Sequence, residues 1–197
     1  AGESKVEYVA NGVEGDIYGP QFKFRFDRDT ELTGNMKLKL WVSADGADDM
    51  DLFVAVMKLD RRGKVVNFPD LNHIEHGHVA SGWLRVSHRE LDETRSAPCQ
   101  PWLKHERMQK LKPGEIVPVE VEILPSGTLF RAGESLVLLV QGAEIVLIDN
   151  TLWPISEGQS LPRVRCMHSE TVNKGRHVIH AGGKYDSHLL VPVIPRG

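Results

Sequence analysis

Apolar and polar residues alternate most regularly between Ile116 and Gly142. Val119, Val121 and Ile123 are separated by Glu120 and Glu122, a period of two that predicts a strand with one face in a core and one in water. Leu124-Pro125-Ser126-Gly127 interrupts it, because Pro cannot donate to a strand ladder and Gly permits positive φ. Phe130-Arg131-Ala132-Gly133-Glu134 reads as a tight turn. Ser135–Val140 is almost wholly apolar, as expected of a strand covered on both faces.

The same period recurs along the chain. Phe22, Phe24 and Phe26 alternate with Lys23 and Arg25, and Asp27-Arg28-Asp29-Thr30 ends that run. Met36, Leu38 and Leu40 alternate with Lys37 and Lys39, which predicts a strand through Val42 with its lysines in solvent. Ser43–Asp49 is a turn, Leu52–Leu59 a third strand, and Asp60-Arg61-Arg62-Gly63 a turn into a hairpin partner at Lys64–Phe68. Pro69–Gly82 has no period and reads as a long loop, and Trp83–Val86 as extended. Ser87-His88-Arg89-Glu90 matches a capping box, which predicts a helical turn begun by the serine hydroxyl. Pro98, Pro101 and Pro113 bracket a short helix at Leu103–Leu111. Glu144–Ile148, Arg163–Met167, Arg176–His180 and Leu189–Ile194 are further short strands, and Asp149–Pro162 is loop. About ten short strands, few helices and no repeat indicate an all-β fold, a sandwich or jelly roll. No linker divides residues 1–197, so a single domain is expected.

Composition narrows the function. At 197 residues, 41% hydrophobic and 26% charged, the chain is an ordinary globular domain. Its formal charge of −3 gives no electrostatic case for nucleic acid or an anionic membrane. No apolar run reaches the ~18 residues of a membrane span. The amino-terminal sequence has no basic start followed by an apolar stretch, so a signal peptide is not expected, and the missing Met fits a processed chain or a fragment. Cys99 and Cys166 lack C-x-x-C spacing; one disulfide between them stays open, and two free thiols in a cytoplasmic protein are the preferred reading.

Five constellations bear on chemistry. A G-x-S-x-G nucleophile elbow is absent: Gly133-Glu134-Ser135-Leu136-Val137 and Gly158-Gln159-Ser160-Leu161-Pro162 both lack the second Gly. Asp186-Ser187-His188 holds triad residue types, but adjacency in sequence is not triad geometry and the string reads as a turn. No catalytic residue and no cofactor are predicted. His73, His76 and His78 have a metal-ligating spacing that resembles the H-x-H of cupins, without the Glu that follows it there; the plainer reading is a solvated loop. Asp45, Asp48, Asp49 and Asp51 could hold Ca²⁺, the plainer reading being a solvated acidic connection. Trp41, Trp83, Trp102 and Trp153 are expected in the core or at an interface rather than exposed for sugar stacking. Arg85, His88, Arg89 and Arg95 could grip an anion, but ion pairs to a neighbouring domain or subunit are the preferred reading.

Several blocks in order resemble one family. Ser81-Gly82-Trp83-Leu84-Arg85-Val86-Ser87-His88-Arg89, then Leu91-Asp92 and Arg95-Ser96, is similar to a stretch in the C-terminal domain of X-Pro dipeptidyl-peptidase and cocaine esterase family hydrolases. Leu111-Lys112-Pro113-Gly114-Glu115 with Val119–Pro125, and His180-Ala181-Gly182-Gly183 with Ser187–Pro195, continue the resemblance from Phe22 to Pro195. It implies a galactose-binding-like jelly roll that is the C-terminal part of a larger serine hydrolase. It also implies an upstream α/β-hydrolase partner domain carrying Ser, Asp and His, and a role in walling the cleft and in domain or subunit contacts, a homo-oligomer among them. Trp83, Arg85, His88, Arg89 and His188 are the structural or interface residues so implied. Two other readings stay open: a free-standing carbohydrate- or small-ligand-binding module, and a cupin-like metalloprotein.

Overall fold

A computed structural model describes residues 2–10, 19–68, 78–143, 145 and 172–195. Among them lie ten strands: β1 (Ser4–Val9), β2 (Gln21–Arg25), β3 (Thr30–Asp45), β4 (Asp51–Leu59), β5 (Val65–Val66), β6 (Ala80–Arg85), β7 (Val117–Phe130), β8 (Ser135–Gln141), β9 (Arg176–Ala181) and β10 (His188–Leu190). They form two five-stranded sheets, antiparallel throughout. In the first, β3 is central, with β7 on one side, β9 and β10 sharing the other, and β1 outside β9. In the second, β4 is central, with β8 and then β2 on one side and β6 and β5 on the other.

Period-two patterning builds the core between the sheets. Met36, Leu38, Leu40 and Val42 of β3 join Val119, Val121 and Ile123 of β7. Across the sandwich they meet Leu52, Val54 and Val56 of β4 and Leu136, Leu138 and Val140 of β8. The intervening residues of β4 and β8 are buried too: Phe53, Ala55, Met57, Val137 and Leu139 form a second cluster with Ile145. Burial on both faces is why these two strands carry no polar alternation.

The structure corrects several expectations. Leu124–Gly127 does not end a strand, because β7 runs through it. Its two residues Leu124 and Pro125 stand opposite Asn35 alone, a bulge that tolerates a proline without a ladder donor. The lysines of β3 are not simply solvated: Lys37 pairs with Glu120 at 2.9 Å and Lys39 with Asp186 at 2.8 Å. β6 begins at Ala80, inside the predicted loop. The helical turn after it is a 3₁₀ turn at Val86–His88 with no side-chain cap. Glu90 faces Arg107 instead, at 2.6 Å. Leu103–Leu111 is not helical. Its backbone donors reach other segments: Lys104 N–H to Glu90 O, Gln109 N–H to Ser87 O and Leu111 N–H to Asp48 O. Leu189–Ile194 is strand only at its start, with Val193 bridging Leu32. The strands expected at Glu144–Ile148 and Arg163–Met167 lie outside the described residues, except for Ile145.

The two lateral edges of the sandwich differ. At the β6–β7 edge the sheets close on each other. A Cβ on Gly82 would lie 1.9 Å from the Glu122 carbonyl oxygen, so only glycine permits the approach. At the β1–β2 edge they stand apart, and both edges bear on function.

Candidate functional site

Four of the five interface candidates gather at the closed edge. β6 alternates, turning Gly82 and Leu84 inward and Trp83 outward. Beside Trp83 the chain from Leu91 to Ile116 loops over the edge. It is pinned by a Leu91–Leu103 bridge and by Trp102, whose N–H donates to Ser96 Oγ at 2.9 Å and whose carbonyl accepts from Asp92 N–H at 2.7 Å. Between them lies a cleft of about 480 Å³, lined by Trp83, Arg85, His88, Trp102, His105 and Glu122 among others. Trp83 is 62% and Trp102 40% exposed, so neither belongs to the core, the first of the two settings expected for them. The guanidinium of Arg95 stacks 3.7 Å over Trp102. The rings of His88 and His105 are 5.5 Å apart, and His105 is the described non-glycine residue with positive φ, 55°.

Arg85 and Arg89 are engaged within the chain. Arg85 makes a bidentate pair with Asp51, at 2.8 and 3.0 Å, and these hydrogen bonds raise its pKa above the usual arginine value. Arg89 donates to the carbonyls of Val86 and Gln109, and burial lowers its pKa. Half of the acidic turn is likewise structural: Asp45 and Asp48 are exposed, as expected of a solvated connection, but Asp49 and Asp51 are not. Asp49 and Asp51 are each 2% exposed, and one Asp49 oxygen accepts from the N–H groups of Met50 and Ser87 at 3.0 and 2.9 Å. Lys110 reaches the other Asp49 oxygen at 3.3 Å and Asp48 at 3.4 Å. Asp45 closes β3, paired in register with Arg176. Among the described residues no group of three His, Cys, Asp or Glu side chains could hold a metal ion. His73 and His76 lie outside them, as do Trp153 and Cys166, while Cys99 is half-buried.

His188 lies on the opposite, open edge. It stands at the mouth of an apolar opening of about 340 Å³ between the sheets, with Phe22, Phe24, Leu136, Leu138 and Leu189. In register, Phe22 faces Leu138 and Phe24 faces Leu136, so both phenylalanines belong to the inner face. Phe26 on the same face is buried and stacks on Phe130, centroids 4.7 Å apart. Phe22 and Phe24 nevertheless remain 41% and 61% exposed. The sequence pattern placed them on a strand but contained no sign that the first sheet fails to cover them.

The family described as X-Pro dipeptidyl-peptidase C-terminal non-catalytic domain matches residues 20–190. The chain belongs to this family. A CocE/NonD family hydrolase from Staphylococcus aureus is 54% identical, with a TM-score of 0.86, and the match covers 99% of this chain and 33% of that one. An aminopeptidase from a marine sediment Thaumarchaeota archaeon is 12% identical over 99% of this chain and 34% of that one, TM-score 0.63. An α-amino acid ester hydrolase is 14% identical over 88% and 25%, TM-score 0.54. At these identities the last two show a shared fold alone. The chain thus spans about a third of the length of the first solved relatives it matches. No curated protein matches the chain significantly.

The triad-like string fits a non-catalytic domain. Ser187 Oγ donates to His180 O at 2.6 Å and accepts from Trp41 N–H at 2.9 Å, so the hydroxyl is a staple between strands. Asp186 takes Trp41 Nε1–H and Lys39, each at 2.8 Å, which holds its carboxyl down at about 2. His188 Nδ1 lies 2.6 Å from the Asp186 carbonyl oxygen and not beside Ser187 Oγ. Asp186 and Ser187 thus fasten the start of β10 to β3 and β9, while the His188 contact stays within its own segment. Among the described residues no helix is long and apolar enough to cross a membrane.

Proposed function

We propose that this domain seats against the α/β catalytic domain of a serine hydrolase through its open β1–β2 edge and walls the active-site cleft there. The observation that carries the reading is the pair Phe22 and Phe24, inner-face aromatics left 41% and 61% exposed. Covering a phenylalanine is worth roughly 1.5–3 kcal/mol, so two of them beside an apolar opening favour a standing partner. The hydrolase relatives, about three times as long as this chain, supply the kind of partner. The domain's role is positional. It excludes water from the cleft and sets the route by which an ester or an X-Pro amide reaches the nucleophile of the other domain. Arg85 and Arg89 hold the far edge through Asp51 and the carbonyls of Val86 and Gln109, Trp83 and His88 line it, and His188 stands at the contact.

The test is Phe22→Glu with Phe24→Glu in the longer hydrolase that carries this domain. Turnover of an activated ester should fall at least tenfold, and proteolysis between the domains should quicken. The same double substitution in the 197-residue chain should leave its melting temperature nearly unchanged, since both side chains are already exposed. Full activity after the double substitution, or after clean deletion of residues 1–197, would refute the reading.

A further inference from the structure

On that reading of the open edge, the cleft at the opposite, β6–β7 edge is left free of the docking. Its Trp83 is the most exposed large apolar side chain described, at 62%, and its Trp102 is 40% exposed. Trp102 is held in place by two backbone hydrogen bonds and by Arg95 stacked at 3.7 Å. Trp83 is held by β6, paired to β4 through Phe53. His105, on the same wall, keeps a positive φ of 55° that costs a non-glycine residue energy. The cleft is therefore preformed, as small-molecule sites usually are, and its volume of about 480 Å³ falls in their range.

Its polarity selects the ligand. The charge of Arg85 is met by Asp51 at 2.8 Å, and that of Glu120 by Lys37 at 2.9 Å. A strongly ionic ligand would compete with pairs already formed. A purely apolar one would bury Glu122, His88 and His105 against nothing that hydrogen-bonds. A sugar has what the cleft lacks: flat C–H faces for indole and a rim of hydroxyls that both donate and accept. We propose that this cleft is a binding site for a short neutral oligosaccharide, stacked on Trp83 and Trp102 and hydrogen-bonded by Glu122, His88 and His105. Calcium has no place in it, because Asp49 and Asp51 are committed to Lys110, Arg85 and backbone donors.

The experiment titrates the 197-residue chain, and the longer hydrolase carrying it, with cellotriose, xylotriose, maltotriose and chitotriose, following tryptophan fluorescence and calorimetry. At least one should bind both proteins, unaffected by EDTA. Trp83→Ala and Trp102→Ala should each weaken it about tenfold or more. Trp83 is exposed, so Trp83→Ala should keep the melting temperature and separates lost binding from lost folding. Absence of binding by all four sugars, or affinity unchanged in both variants, overturns the proposal. So does binding by the chain that vanishes in the longer protein, which would make the cleft a domain interface, or retention of decaproline in place of every sugar.

Discussion

Gly82→Ala should destabilise this domain more than any other single methyl added to its surface strands. The added Cβ would lie 1.9 Å from Glu122 O, 3.0 Å from its carbonyl carbon and 3.2 Å from Ile123 Cα. All three are backbone atoms, so no side chain can rotate away. Carbon and oxygen approach to about 3.3 Å at closest in favourable contacts, so β6 and β7 must part by roughly 1.4 Å. That separation loosens Ile123 and Val121, both fully buried, from the β4 side of the core. Overpacking typically costs 1–3 kcal/mol, and with rigid neighbours the expected loss is about 3 kcal/mol, a large part of the ~5–15 kcal/mol that holds a domain together. Urea unfolding followed by tryptophan fluorescence measures it as a lower midpoint with an unchanged slope. Gly127→Ala is the matched control. Its Cβ would meet nothing nearer than Thr33 Oγ1 at 3.5 Å, so it should be neutral or slightly stabilising. A Gly82→Ala chain within about 0.5 kcal/mol of the parent would refute the close approach of the two sheets at this edge.

Three further outcomes are expected. Arg85→Met strands Asp51, 2% exposed, without its bidentate partner and should cost about 3 kcal/mol in urea unfolding; adding Asp51→Asn should restore much of it. His177 is fully buried, and desolvation pushes its pKa down from 6.5 to about 4. The unfolded chain therefore takes up a proton that the folded one refuses. Stability should be complete above pH 6.5 and fall as pH drops toward 4, by about 3 kcal/mol from this group, a slope that His177→Gln should largely flatten. Ser187→Ala removes both the bond to His180 O and the one from Trp41 N–H, and should quicken hydrogen exchange in β10 without affecting any hydrolase activity.

Elements whose burial follows from their own period were legible in the sequence. Val119, Val121 and Ile123 are buried as the alternation predicts, and Ser135–Val140 is covered on both faces. What escaped reading depends on partners distant in the chain. Asp51 looks like part of a solvated turn until Arg85, 34 residues on, closes over it. Asp49 finds Lys110 at a separation of 61. The helix expected over Leu103–Leu111 fails because those N–H groups bond to Ser87, Glu90 and Asp48 rather than to each other. That Trp83 lies outside the core was recoverable. Beginning the strand at Ala80 sets Ala80, Gly82 and Leu84 on one face and Trp83 on the other, so its exposure follows from the alternation itself. The gap at Phe22 and Phe24 had no such signal, because it reflects how far the facing sheet extends.

The pairing of β1 with β9 joins the first described strand to nearly the last, with Ser4 opposite Ala181. Among the described strands, β1 pairs with β9 alone, so as the chain emerges from the ribosome that pairing waits until Arg176–Ala181 has been made, and β3 lacks its β9 flank for as long. Folding of the first sheet is therefore a late event in synthesis, slow because its defining contacts span almost the whole chain. A ribosome that stops before residue 176 releases a polypeptide in which β1 lacks its described partner and β3 one flank, and bare strand edges of this kind favour aggregation.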